Sequence, residues 1–413
     1  MTTNRDGARR GSIYLHVLAS SLLVAILGLG AMAAVRIQTR SAQLGRDCAQ
    51  ARLCATSAVE AGLLQIKQSS TWRSAWPNGV WLQDKTLGGG TFTLQGVDPT
   101  DGVLSDSEYE PLVLTGTGVK GLARHKTQVT LVPVVKTLEA LNTCLHTSKQ
   151  ITINNSCQVA AMGAPLSTND RLVNNGTIDG SVEAASATPL GAITGTVTIP
   201  ASAKAMPDAS LISRYASRAT TIPYTGDIDK ATLGPGCNPW GPTDPNGLYV
   251  LDTGGSAITI KNTRIYGTLI IKASGKTVTF DEAMFCQNYR SQFPVLIVDG
   301  YLVLKCTSAT TTLSESSKDT NYNPIGAPYE GVTDTDKNDV YPNEIRGLIH
   351  VTTGLFLQQT AKIVGTILCE GIVTCGGTNT IVSDPVLYTS PPDGYTYVDG
   401  MAISPGSWRQ VVD

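Results

Sequence analysis

Charge is scarce in this chain. Only 15% of its 413 residues are Asp, Glu, Lys or Arg, and the formal net charge is −2 with a pI near 6.1. Without a basic excess there is no electrostatic footprint for a phosphate backbone, so nucleic acid is dropped as a partner class. Aromatics make up 6%. Gly, at 41 residues, is abundant, as are Thr and Ser, and such a composition suits many strands and tight turns better than a helical enzyme. Zinc-type spacing is missing too: Cys369 and Cys375 lie further apart than a CxxC, with no histidine between or beside them. The nine cysteines are irregularly spaced, so no connectivity can be read, and their odd number leaves at least one unpaired in an oxidising compartment. They are expected to serve mostly as small apolar core residues.

What the chain does have is one long apolar run. Ile13 to Val35 contains no charged side chain and is bounded by Arg9 and Arg10 on one side and Arg36 on the other. At ~1.5 Å per helical residue, roughly 20 apolar residues cross a hydrocarbon core, so the run is long enough. Gly28 and Gly30 smooth its second half for close helix packing in lipid. Three readings compete. A secretory signal peptide would use Arg9 and Arg10 as its basic region and Ala31-Met32-Ala33 as its cleavage site. A simple signal anchor would retain the run. In the third, the helix continues past the membrane edge, because Arg36 to Lys67 has no Pro and is rich in helix formers. There Ile37, Leu44, Ala51 and Ala58 recur every seven residues, with Cys48, Ala55 and Gly62 four residues after the last three. They form one small-residue stripe for helix packing, with Arg40, Arg46 and Arg52 off it. Pro77-Asn78-Gly79 ends the segment.

The short basic leader ending Arg9-Arg10-Gly11, the apolar run from Ser12, and Ala55-Thr56-Ser57-Ala58-Val59-Glu60-Ala61-Gly62-Leu63 make the first 70 or so residues resemble bacterial type IV pilin-like proteins, the minor pilins and pseudopilins. The resemblance implies leader cleavage between Gly11 and Ser12, assembly through the helix with other pilin-like subunits, and a helix laid on a small sheet. Most members of that family carry glutamate at the fifth mature position, where this chain has His16. Near a membrane boundary His16 could pair with a neighbouring subunit's amine or acid, or simply snorkel.

Beyond the helix the period changes to two. Thr91-Phe92-Thr93-Leu94-Gln95, Leu112-Val113-Leu114 and Thr127 to Val132 alternate as strands, with a turn around Asp98 and Asp101, whose carboxylates are expected to serve turn backbone rather than a metal. From about 138 a weak repeat of the form apolar-x-Gly-x-apolar appears at Ile178, Ile193, Ile265, Val298, Ile345 and Ile363. Strands this short bury a face only by stacking, which predicts a parallel β-helix. The expected organisation is therefore mainly β with one long N-terminal α-helix: a leader over 1–11, a transmembrane and amphipathic helix over 12–71, a small antiparallel β unit over 72–137, and a parallel β-helix over 138–413. Polar loop insertions are placed at 206–244 and 308–343, and the tail from Ser390 is expected to cap the solenoid.

Chemistry is thinly signalled. Asp334 to Asp339 begins like a calcium loop, but Asp339 stands where an EF-hand needs glycine and Ile345 where it needs an acid, so a solvated acidic loop is expected and a looser calcium site stays open. Parallel β-helices also host polysaccharide lyases and hydrolases, which need acids and bases grouped on one face. Only Asp281, Glu282 and Asp299, with Arg290 and Lys305, lie near the central coils, and neighbours in an extended strand point oppositely. His125, His146 and His350 match no triad motif. No catalytic residue, cofactor or metal is assigned. The expected function is a single-pass inner-membrane structural component of a type IV pilus or related secretion apparatus, its C-terminal region periplasmic or extracellular. Its partners would be other pilin-like subunits, a prepilin peptidase and a polysaccharide or surface ligand. An envelope-tethered carbohydrate-active enzyme and a signal-anchored adhesin are the alternatives.

Overall fold

A computed structural model describes residues 7–306 and 311–412, with side chains from residue 13 onward. The chain is mainly β behind one long helix and divides into two units, Met1–Val135 with Val398–Asp413, and Lys136–Tyr397.

In the first unit α1 runs unbroken over Gly7–Gln68. Four antiparallel strands follow: β1 (Gly79–Leu87), β2 (Gly90–Val97), β3 (Leu112–Lys120) and β4 (Ala123–Thr137). Their inward side chains Leu94, Leu112, Leu114, Val129 and Leu131 form a core with Ala58, Val59, Ile66, Trp72 and Trp81. Asp98 and Asp101 do serve the β2–β3 turn: Asp98 Oδ1 accepts from the Thr100 N–H at 2.7 Å and Asp101 Oδ1 from the Val103 N–H at 2.8 Å. The tail departs from expectation. Strand Thr396–Ile403 extends this sheet beside β4 and Arg409–Val411 pairs antiparallel with residues 126–128 of β4, so the tail closes the small sheet instead of capping the solenoid. The physical reason is the open row of backbone donors and acceptors along β4, which a returning strand satisfies.

The second unit is a parallel β-helix. Its regular coil repeats every 18 residues, as Ile345 pairs with Ile363 and Leu355 with Val373. Equivalent side chains stack inward: Ile258, Val278, Leu302, Leu355, Val373, Ile151 and Leu172 follow one another in register, none more than 2% exposed. Each short strand thereby buries a face it could not bury alone. The order of coils is not the order of the chain. Leu145–Thr147 and Ile151–Ile153 stack on the last coil, at 367–369 and 373–375, so the early coils 145–198 continue the stack beyond residue 382.

The glycine repeat marks a corner. Gly347 pairs with Gly365, and a Cβ on Gly365 would stand 2.0 Å from the Gly347 carbonyl oxygen. Only a residue without a side chain permits that approach. The copy at Gly300 is the exception. It precedes Tyr301, which pairs with Thr277 and Gly354, and so occupies the next corner of the coil.

Neither polar segment is a simple loop. Within 206–244, strands Thr220–Ile222, Ile228–Asp229 and Thr232–Leu233 pair in parallel as further coil, too short for a period to show among the Pro and Gly. The helix Leu211–Ala216 places Leu211 and Tyr215 on the outward row Val250, Ile270 and Ile297, sealing one coil face. In the described part of 308–343, Thr312–Ser314 pairs antiparallel with Val340–Pro342. There Arg264, 1% exposed, donates to the carbonyls of Tyr322, Ala327 and Pro328 at 2.5–2.6 Å, and its guanidinium lies 5.4–5.8 Å from the rings of Tyr266, Phe285, Tyr329 and Tyr341. Arg264 is thus a buried cation that helps fasten the segment to the coil, alongside the Tyr322 hydroxyl, which donates to the Asn262 carbonyl at 2.7 Å.

Candidate assembly helix and the outer coil faces

The lower part of α1 is seated on the sheet through its smallest residues. Ala51, Cys54, Ala55, Ala58 and Val59 are fully buried. Beneath them β3 offers glycine: a Cβ on Gly116 would meet the Ala55 carbonyl oxygen at 2.1 Å, and one on Gly118 the Ala51 carbonyl oxygen at 2.0 Å. Helix and strand backbones touch, which requires small residues on both sides. The Thr115-Gly116-Thr117-Gly118 alternation carried this signal in the sequence, yet Gly116 and Gly118 escaped the reading because the strand was sought through its apolar positions.

The seven-residue stripe is thus split. Ala51 and Ala58 face the chain's own sheet, whereas Ile37 and Leu44 are 68% and 54% exposed. His16 is exposed on the uncovered half, and Arg40, Arg46 and Arg52 are exposed too. From Ile13 the helix is long and apolar enough to cross a membrane, with none of its most apolar window buried. Gly11 and Ser12 fall on helical backbone, but their side chains, and residues 1–6 of the leader, lie outside the described residues.

On the solenoid, the acids and bases near the central coils form an ion-pair ladder. Lys261 lies 3.8 Å from Asp229 and 4.0 Å from Glu282, Lys305 lies 3.0 Å from Asp281, and Lys318 lies 2.9 Å from Glu282. Glu282 has a φ of 57°, so the backbone is not extended there and Asp281 and Glu282 both reach lysines on the outer surface. The hydrogen bond from Lys318, with one from Asn262, holds the Glu282 carboxyl below its usual range, so it stays a carboxylate and is poorly suited to donate a proton. Asp299 accepts from the Thr352 hydroxyl at 3.2 Å, and Arg290 covers the Tyr289 ring.

The histidines sit apart. His146 Nδ1 is 3.1 Å from Ser167 Oγ, a pairing no motif announced, but both residues are buried and the His146 Nε2 has no hydrogen-bond partner among the described residues. Burial, with the charge of Lys204 second, lowers the His146 pKa to about 4. His350 lies between the Tyr395 hydroxyl at 3.2 Å and Glu370 Oε1 at 3.1 Å. His125 is in β4, its pKa lowered by partial burial and by Arg52.

All nine cysteines are free thiols, and Cys144, Cys157, Cys286, Cys306, Cys369 and Cys375 belong to the solenoid core. Burial pushes the Cys306, Cys369 and Cys375 thiols up to about 12, which keeps them protonated and unreactive.

No family model matches this chain, and no curated protein does. Among solved structures it is similar to an ice binding protein from an Antarctic Biological Consortium, at 14% identity and a TM-score of 0.30 over 60% of this chain and 92% of that one. It is also similar to the competence-associated pilin ComZ from Thermus thermophilus, at 10% identity and a TM-score of 0.23 over 89% of this chain and 98% of that one. Scores this low leave the function to this chain's own residues.

Proposed function

We propose that this chain is a membrane-anchored subunit of a type IV pilus or related secretion filament, built in through its N-terminal helix and displaying the β-helix for contact with a partner or a surface polysaccharide. The observation that carries the reading is the divided helix. Its lower part is committed to the chain's own sheet, while the continuous apolar surface above it, including Leu15, Leu22, Leu29 and Ile37 at 61–69% exposure, has no intramolecular cover among the described residues. At about 25 cal/mol per Å² such a surface is strongly unfavourable in water, and lipid or the helices of neighbouring subunits would relieve it. Gly28 and Gly30, each with open space around it, would let helices approach closely. In this reading a prepilin peptidase cuts between Gly11 and Ser12, and His16 near the new terminus replaces the usual acid as the group that meets a neighbour's amine or carboxylate.

The mature N-terminus, measured by intact mass on protein from its native envelope, is the test. A start at Ser12, with the chain recovered in a sheared filament fraction, is the expected result. A start at Ala34 would mean an ordinary signal peptide and a secreted β-helix, and an intact Met1 would mean a tether without filament processing. Either overturns the proposal.

A further inference from the structure

The segment 311–343 contains a buried negative charge that no basic side chain answers. Glu315 opens the short helix Glu315–Lys318 and is fully buried. Its Oε1 accepts from the Tyr322 N–H and, at 3.0 Å, from the Tyr341 hydroxyl, and its Oε2 accepts from the Asp339 N–H at 3.1 Å. All three donors are neutral. Carboxylate oxygens of Glu315, Asp334 and Asp336 lie within 4.8 Å of one another. The two lysines nearest in sequence are engaged elsewhere, Lys318 with Glu282 at 2.9 Å and Lys337 with Asp319 at 2.8 Å. Among the described residues, no Lys, Arg or His forms an ion pair with Glu315, Asp334, Asp336 or Asp339.

Two further oxygens await a partner. Asn323 is 1% exposed and held within the cluster, its Nδ2 donating to Asp334 Oδ2 at 3.1 Å and Asp339 Oδ2 at 2.9 Å, yet its Oδ1 has no hydrogen bond among the described residues. Asp334 Oδ1 is also shut off from solvent with no donor among the described residues. Buried acceptors are normally satisfied, and buried carboxylates are paired or coordinate metals. One shared proton could satisfy a single orphan oxygen. It would not neutralise three converging carboxylates.

We infer that this pocket is a calcium site, with Glu315, Asp334 and Asp336 as carboxylate ligands and the Asn323 side-chain oxygen completing the protein's share. The donors are all oxygen and come from the first residue of a short helix and from two stretches of irregular backbone, which suits the flexible six-to-eight-fold coordination of Ca²⁺ better than the strict octahedron of Mg²⁺. Glu315 and Asn323 lie outside the Asp334–Asp339 run, so the spacing of that run could not announce the cluster. A bound ion would tie together a segment whose only strands among the described residues are two of three residues each.

The test uses the full chain in detergent, stripped with EGTA and titrated with CaCl₂ by calorimetry and thermal unfolding. Saturable binding and a rise in Tm are expected below about 1 mM, the range of extracellular modules, with MgCl₂ giving a much weaker response. Asp336→Asn, at an exposed position where the amide oxygen can still accept from the Asn338 N–H, should weaken affinity at least about 10-fold, and Asp334→Asn likewise. Asp319→Asn, outside the cluster, should leave it unchanged. No heat and no Tm shift up to about 10 mM CaCl₂ would overturn the site. So would an equal response in wild type and Asp336→Asn.

Discussion

His146 shows how much a single side chain can be determined by what the fold lays over it. It occupies an outward position in its strand, in register with Leu368 on one side and Ser167 on the other, and a sequence reader would leave such a position to solvent. In the folded chain it is fully buried and its pKa falls to about 4. A histidine whose folded pKa is depressed stabilises the fold while neutral. The contribution is complete above the unfolded value of about 6.5 and is lost as the pH drops from there towards about 4, amounting to about 3 kcal/mol. His146→Gln, which retains a partner for Ser167, should remove that slope: between pH 7 and pH 4 its unfolding free energy should fall by about 3 kcal/mol less than that of wild type. Parallel curves for the two proteins would show that His146 ionises freely in the folded state. The Ser167 contact was illegible because it depends on the register between neighbouring coils, and the burial because Leu368, on the other side, lies far along the chain.

Among elements, the helix was the most legible. Its apolar run, its lack of proline before Pro77 and its small-residue stripe are local signals, and they place α1 correctly to within a few residues of its end at Gln68. What the stripe could not reveal was its division between the chain's own sheet and an uncovered half, since Ile37 and Ala51 look alike in periodicity and differ only in whether a strand lies beneath. The decisive counterparts are Gly116 and Gly118. Gly116→Ala should push the helix off β3 and cost about 1–3 kcal/mol, as overpacking does, measured by urea unfolding of the detergent-solubilised chain. Gly45→Ala, in the same helix but with nothing within 4 Å of the added methyl, should instead be neutral or stabilising by up to about 1 kcal/mol. A neutral Gly116→Ala would mean that helix and sheet are not in backbone contact.

For the whole molecule, fold class was legible and stacking order was not. Repeated apolar-x-Gly-x-apolar units announce a β-helix because equivalent residues must pile up in register, as Ile345, Ile363 and Ile381 do. Nothing in those units reveals that residues 145–153 dock on 367–375, since all the coils share the same short pattern and the choice among them is made by packing between whole coils. The consequence is a very non-local join: the Ile367 N–H bonds to the Cys144 carbonyl and the Val373 N–H to the Gln150 carbonyl. Contacts of such separation form slowly. In refolding followed by pulsed hydrogen exchange, the amides of 367 and 373 should gain protection later than those joining 258–266 to 278–287. Simultaneous protection would indicate a single nucleus spanning the join.

The strands at 396–403 and 409–411 give the first unit another property. A chain broken off anywhere within the β-helix would already hold its long N-terminal helix and four strands, but β4 would lack the neighbours that cover its edge. Truncated copies would therefore leave the backbone donors and acceptors along β4 open to pairing with strands of other molecules, and the last residues of the chain remove that liability.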